Sequence, residues 1–121
     1  MNYYKIPSLS NIYLEDSYVL AVLETKRSLV FELEAVLTEK HPEYKKPRVG
    51  EKYCYKRVSL NFINADSVEW INKSFIAFTD ASGDFDYGNI DSLISCDDGY
   101  EVTGDWGRVV IRGQDIEIIV E

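Results

Sequence analysis

YVLAVLETKRSLVFELEAVL, residues 18–37, decides how the chain is read. Its first part, Tyr18 to Glu24, is aliphatic and β-branched on both parities, as in a strand covered on both faces. Lys26-Arg27-Ser28 can turn the chain back. Leu29 to Leu37 then reads two ways. As a strand, Leu29, Phe31, Leu33, Ala35 and Leu37 line one face; as a helix, Leu29, Val30, Leu33, Val36 and Leu37 form a stripe. The preceding turn offers an antiparallel neighbour, so strand is the choice and helix the alternative.

Working outward, strand signals recur. HPEYKKP (41–47) is a loop bracketed by Pro42 and Pro47. Lys52 to Ile63 follows, with Val58, Leu60 and Phe62 facing one way and Ser59 and Asn61 the other. Ser67 to Ile71 and Ser74 to Thr79 are short candidates. Asp80-Ala-Ser-Gly-Asp84 is turn chemistry, and Asn89 to Cys96 is a strand candidate. Asp97-Asp98-Gly99 reads as a hairpin turn before Tyr100 to Thr103. Gly104-Asp-Trp-Gly107 reads as a turn or bulge. Arg108 to Arg112 and Ile116 to Val120 close the chain around Gly113-Gln114-Asp115. Eight or nine short strands with turns at this spacing predict a mainly β fold: an antiparallel sandwich or open barrel with at most one short helix. At 121 residues, without repeats or linkers, residues 1–121 are expected to form one domain.

Composition narrows the function classes. The N-terminal MNYYKIPSLS has no apolar signal core, and the longest apolar run, Tyr18 to Leu23, is six residues. A cytoplasmic protein with no membrane partner is expected. Cys54 and Cys96 lie in aromatic-rich strand candidates, so both are expected reduced and buried. No CxxC pair is present, and no zinc spacing forms around a single histidine.

Charge is distributed unevenly. Net charge is −8, yet residues 1–73 hold 11 basic and 10 acidic residues. Residues 74–107 hold no Lys or Arg and eight acids: Asp80, Asp84, Asp86, Asp91, Asp97, Asp98, Glu101 and Asp105. Such a block repels phosphate, which argues against nucleic acid, and attracts a basic protein or a cation.

Catalytic constellations are thin. His41 is the one histidine and sits beside Pro42 in a polar loop, with no nucleophile-elbow sequence anywhere. With eight acids in a turn-rich stretch, a glycosidase-like carboxylate pair arises by chance. GDFDYG (83–88) has acids where a phosphate loop needs bare amides. DASGDFDYGNID (80–91) offers oxygen ligands for calcium, but the EF-hand spacing is not met: Asn89 and Ser95 stand where Gly and Glu belong. No enzyme, cofactor or metal centre is therefore expected. The remaining constellation is acids interleaved with Phe85, Tyr87, Tyr100 and Trp106. Aromatic anchors with acidic steering suit a protein interface; the competing reading makes Tyr100 and Trp106 core residues and the acids a solvated face.

YLEDSYVL (13–20), HPEY (41–44), EKYCYKR (51–57), DYGNIDS (86–92) and GDWG (104–107) together resemble small acidic bacterial proteins grouped among polymorphic-toxin immunity proteins. The resemblance implies a cytoplasmic β-rich protein that binds and blocks a cognate toxin domain, and it transfers no catalytic residues. Basic nucleases are common among such toxins, and an acidic patch can mimic nucleic acid. The expected partner-binding residues are Asp80, Asp84, Asp86, Tyr87, Asp91, Asp97, Asp98, Asp105 and Trp106, with Tyr87 and Trp106 as anchors. A calcium-dependent or small-ligand-binding β-sandwich module is the alternative, and a structural subunit using exposed strand edges the third.

Overall fold

A computed structural model describes residues 2–79 and 83–121. Among these residues ten strands run antiparallel throughout: β1 (Ile12–Thr25), β2 (Ser28–Leu37), β3 (Cys54–Ile63), β4 (Ser67–Lys73), β5 (Phe78–Thr79), β6 (Phe85–Asp86), β7 (Ile90–Cys96), β8 (Gly99–Gly104), β9 (Gly107–Arg112) and β10 (Asp115–Val120). They form two four-stranded sheets, ordered β1-β2-β3-β10 and β4-β9-β8-β7, and a two-stranded ribbon, β5–β6. The architecture is a mainly β sandwich, and its only helical pieces among the described residues are 3-10 turns at Tyr3–Lys5 and Pro7–Leu9.

Residues 29–37 are strand. Leu29, Phe31, Leu33 and Ala35 are buried, while Val30, Glu32 and Glu34 alternate with them half-exposed. β2 pairs with β1 on one edge and β3 on the other, so its backbone groups are satisfied laterally. The reading of 18–24 as a central strand is corrected. β1 begins at Ile12 and lies at the edge of its sheet. Its outer edge is bonded locally, Val19 N–H donating to Gly88 O and Val19 O accepting from Tyr87 N–H, both at 2.8 Å, but its faces are unequal: Val19 is buried while Tyr18 and Leu23 are exposed.

β1 carries a register shift between Tyr13 and Tyr18. Ser17, the buried polar residue of the core, fills it. Its hydroxyl donates to Tyr13 O at 2.6 Å and accepts from Val36 N–H at 3.0 Å, standing in for a lost ladder rung.

The core lies between the two sheets. β2 and β3 contribute Leu29, Phe31, Leu33, Val58, Leu60 and Phe62; the opposite sheet contributes Ile90, Leu93, Val102, Val109 and Ile111. Aromatic contacts cross the layer: Phe62 meets Tyr100 at 5.3 Å and Phe31 meets Trp106 at 5.0 Å between centroids. Each fully buried large side chain contributes about 1.5–3 kcal/mol of transfer free energy. Tyr3, Ile6 and Leu9, from the N-terminal 3-10 turns, are buried in the same cluster.

The hairpins fall where turn chemistry placed them. Thr25 pairs with Ser28, Cys96 with Gly99 and Gly104 with Gly107, each closing a two-residue turn. Gly107 has φ +133°, and a Cβ there would strike the Asn72 backbone, so the turn's close approach to β4 needs glycine. Two further expectations are corrected. Of 74–79, only Phe78–Thr79 is strand, because it finds a partner only in Phe85–Asp86. Cys54 is buried but Cys96 is exposed beside the Asp97–Asp98 turn; both thiols are free.

Candidate functional site

The acidic stretch does not fold into one surface. β7 carries its acids to opposite ends. Ile90 pairs with Gly104 and Cys96 with Gly99, so Asp91 and Asp105 stand at one end of the β7–β8 hairpin and Asp97 and Asp98 at the other. At ~3.3 Å per residue the ends are about 20 Å apart. Asp97 and Asp98 are engaged locally: Asp98 ion-pairs with Arg112, and Asp97 O accepts from Gln114 Nε2 at 2.7 Å. Glu101 pairs with Arg108 at 2.5 Å. Asp80 lies outside the described residues.

At the other end the acids organise the loop leading into β7. Asp86 Oδ1 accepts from Gly88 N–H at 2.7 Å, closing a turn around Tyr87. Asp105 Oδ2 accepts from Asn89 N–H at 3.1 Å. Its carboxylate packs where Gly88, with φ +90°, has no Cβ. Asn89 reaches across to β1 and donates to Ser17 O at 2.5 Å. Burial, and then the neighbouring Asp105 charge, push the Asp91 carboxyl above its ordinary pKa.

Trp106 is not an anchor. It is 0% exposed, packed among Phe31, Trp70 and Phe75, and its Nε1 makes no hydrogen bond among the described residues. Glycines at 104 and 107 let the turn fold its ring inward, so a buried side chain, not a surface one, occupies the hairpin tip. Tyr100 is core as well, its hydroxyl donating to Gln114 O at 3.0 Å. Tyr87 is half-buried and edge-on to Phe75 at 5.5 Å and to Phe85 at 6.2 Å.

The β5–β6 ribbon carries Phe85, which the sequence set among the acids, and adds Phe78, which it did not single out. Phe78 and Phe85 are 51% and 55% exposed; Phe78 shares a face with Asp86 and Phe85 shares the other with Thr79, while Ile76, 66% exposed, lies just before the ribbon. Asp84 and Asp86 flank Phe85 in sequence. An aromatic series runs from Phe85 through Tyr87 and Phe75 to Trp106, fixing the ribbon to the core. Beside it lies a cleft of about 590 Å³, walled by Tyr18, Glu34, Tyr55 and Arg57 of the first sheet and by 83–86. Burial, with Tyr18 and Glu34 nearby, raises the Tyr55 hydroxyl pKa. Aromatic faces with carboxylates at the rim accept a Lys or Arg side chain.

Against known proteins the chain matches no family model, no curated protein and no solved structure.

The remaining candidates have local roles. His41 Nδ1 accepts from Glu43 N–H at 3.0 Å, tying the loop's own backbone. Among the described residues no three His, Cys, Asp or Glu side chains gather as a metal site. No described helix is long and apolar enough to cross a membrane. Tyr18, Glu34 and Tyr55 were invisible as site residues because β1, β2 and β3 bring them together only by pairing. Phe78 and Phe85 carried a readable signal: apolar residues on either side of a polar turn, in segments too short to be buried.

Proposed function

We propose that this chain is a non-catalytic protein-binding module that docks a basic protein on the β5–β6 ribbon and its adjoining cleft. In this reading it acts in the cytoplasm as an immunity protein acts, occluding the working surface of a basic toxin domain. The observation that carries it is Phe85, 55% exposed and lining the cleft between Asp84 and Asp86. Apolar side chains supply the contact area and the acids supply steering. Asp84, Asp86 and Tyr87 therefore keep their proposed role, while Asp91 and Asp105 stand outside the cleft, at the loop leading into β7. Asp97 and Asp98 belong to the opposite end of β7, and Trp106 serves from the core as a foundation.

The test is a comparative capture from one native lysate with four tagged proteins: wild type, Phe78→Ser/Phe85→Ser, Asp84→Asn/Asp86→Asn and Asp97→Asn/Asp98→Asn. The reading expects a basic protein in near-equal amount with wild type and with the Asp97/Asp98 variant. The aromatic variant loses it, and the Asp84/Asp86 variant holds it with weaker salt dependence. Equal capture by all four proteins, or none by wild type, overturns the assignment.

A further inference from the structure

A second concavity lies away from the ribbon, under the 38–53 loop. It encloses about 550 Å³, within the range of small-molecule sites. Tyr13 of β1, Leu37 at the end of β2, and Tyr44 and Tyr53 of the loop give it flat apolar walls. Lys40 and Lys52 also line it, against one carboxylate, Glu39. Lys52 Nζ stands 5.3 Å from the Tyr53 ring centroid, which keeps that cation beside an aromatic wall.

The surroundings strengthen the positive field. Seven of the chain's 13 Lys and Arg fall within residues 40–57, against two acids, Glu43 and Glu51, in a molecule of net charge −8. One further feature is independent of charge. Thr38, which lines the cavity, holds its Oγ1 out of solvent with no hydrogen bond among the described residues. Native structures seldom leave a buried hydroxyl so.

We propose that this cavity binds a small planar aromatic carboxylate, with its ring between Tyr44, Tyr53 and Tyr13 and its carboxylate toward Lys40 and Lys52. The Thr38 hydroxyl, turned to the cavity by a χ1 rotation between staggered wells, donates to it. Apolar walls with a few convergent polar groups are the general form of such a site. The two lysines select an anion over a cation of the same shape. This site shares no residue with the ribbon or the acidic cleft, so it stands or falls apart from the protein-docking reading.

The experiment titrates the isotopically labelled full chain with 2-naphthoate and follows backbone amide shifts by NMR. The expected result is saturable shifts at Thr38, Tyr44, Tyr53 and Cys54, and none saturable with 2-naphthylmethylamine, the cationic counterpart. Lys40→Gln/Lys52→Gln weakens binding by at least about tenfold, since it removes both charge-assisted contacts and one alone accounts for about that factor. Thr38→Val weakens binding severalfold yet leaves the ligand-free melting temperature unchanged or higher, since it removes an unpaired buried hydroxyl. A fold-defective variant is recognised by its own spectrum and replaced by the single-lysine variants. No saturable shift up to about 10 mM, far weaker than any specific site, overturns the proposal. So do equal responses to the amine, or shifts confined to Ile76, Phe78 and Phe85.

Discussion

Asp91 stands exposed at the start of β7, yet its carboxyl holds its proton more tightly than an isolated aspartate does, through local burial and the charge of Asp105. The consequence for stability has a definite sign. A carboxyl whose folded pKa lies above its unfolded value binds more proton in the folded state. Its stabilising contribution is present at low pH and is lost as pH rises through the folded pKa. Asp91→Asn removes the repulsion without changing shape. It is expected to raise the melting temperature at pH 7 and to change it little at pH 3, read by thermal denaturation at both values. Asp91 was legible in the sequence as one of eight acids; its pairing with Asp105 was not, because the register of β7 on β8 creates it. Trp106 shows the same limit from the other side. A tryptophan between aspartate and glycine reads equally as a surface anchor or a core residue, and the inward fold of its turn decides.

The bulge of β1 shows an element depending on one hydroxyl. Ser17 accepts from Val36 N–H and donates to Tyr13 O, so Ser17→Ala leaves a buried amide of β2 without its acceptor. The expected loss is about 1–3 kcal/mol, measured by chemical denaturation, with an unchanged slope if the fold is retained. The strands that read correctly, β2, β3, β7, β8, β9 and β10, have clean alternation or strong turn residues at their borders. Where the reading slipped, a pairing partner was decisive, distant for β1 and local for the ribbon. β1 is an edge strand whose outer side is bonded by residues 87–88, far along the chain, and the ribbon is a local pairing of Phe78 and Thr79 with Asp86 and Phe85 in segments too short to show alternation. Pairings between segments far apart leave little trace in local pattern. The docking ribbon was therefore half legible: Asp84, Phe85, Asp86 and Tyr87 by composition and Phe78 by its place before a polar turn, but which of them share a face only once the pairing is seen.

Across the whole molecule, charge is sorted by place. The segment 40–57 is basic, Asp84, Asp86, Asp91 and Asp105 gather near the ribbon and the start of β7, and Asp97 and Asp98 sit at the far turn beside Arg112. Such an arrangement orients an approaching basic partner more than it binds it, so salt is expected to slow association more than it speeds dissociation. The two free thiols are placed as differently as the charges. Cys96 is open to solvent, whereas Cys54 is 8% exposed, with Lys45 N–H donating to its sulfur at 3.4 Å from the 38–53 loop. A thiol reagent should therefore modify the protein in two well-separated phases, the fast one at Cys96. The slow phase at Cys54 times how often that loop lifts from the end of the sandwich. The protein thus carries a built-in clock for its own local opening, readable by mass without any added probe on the backbone.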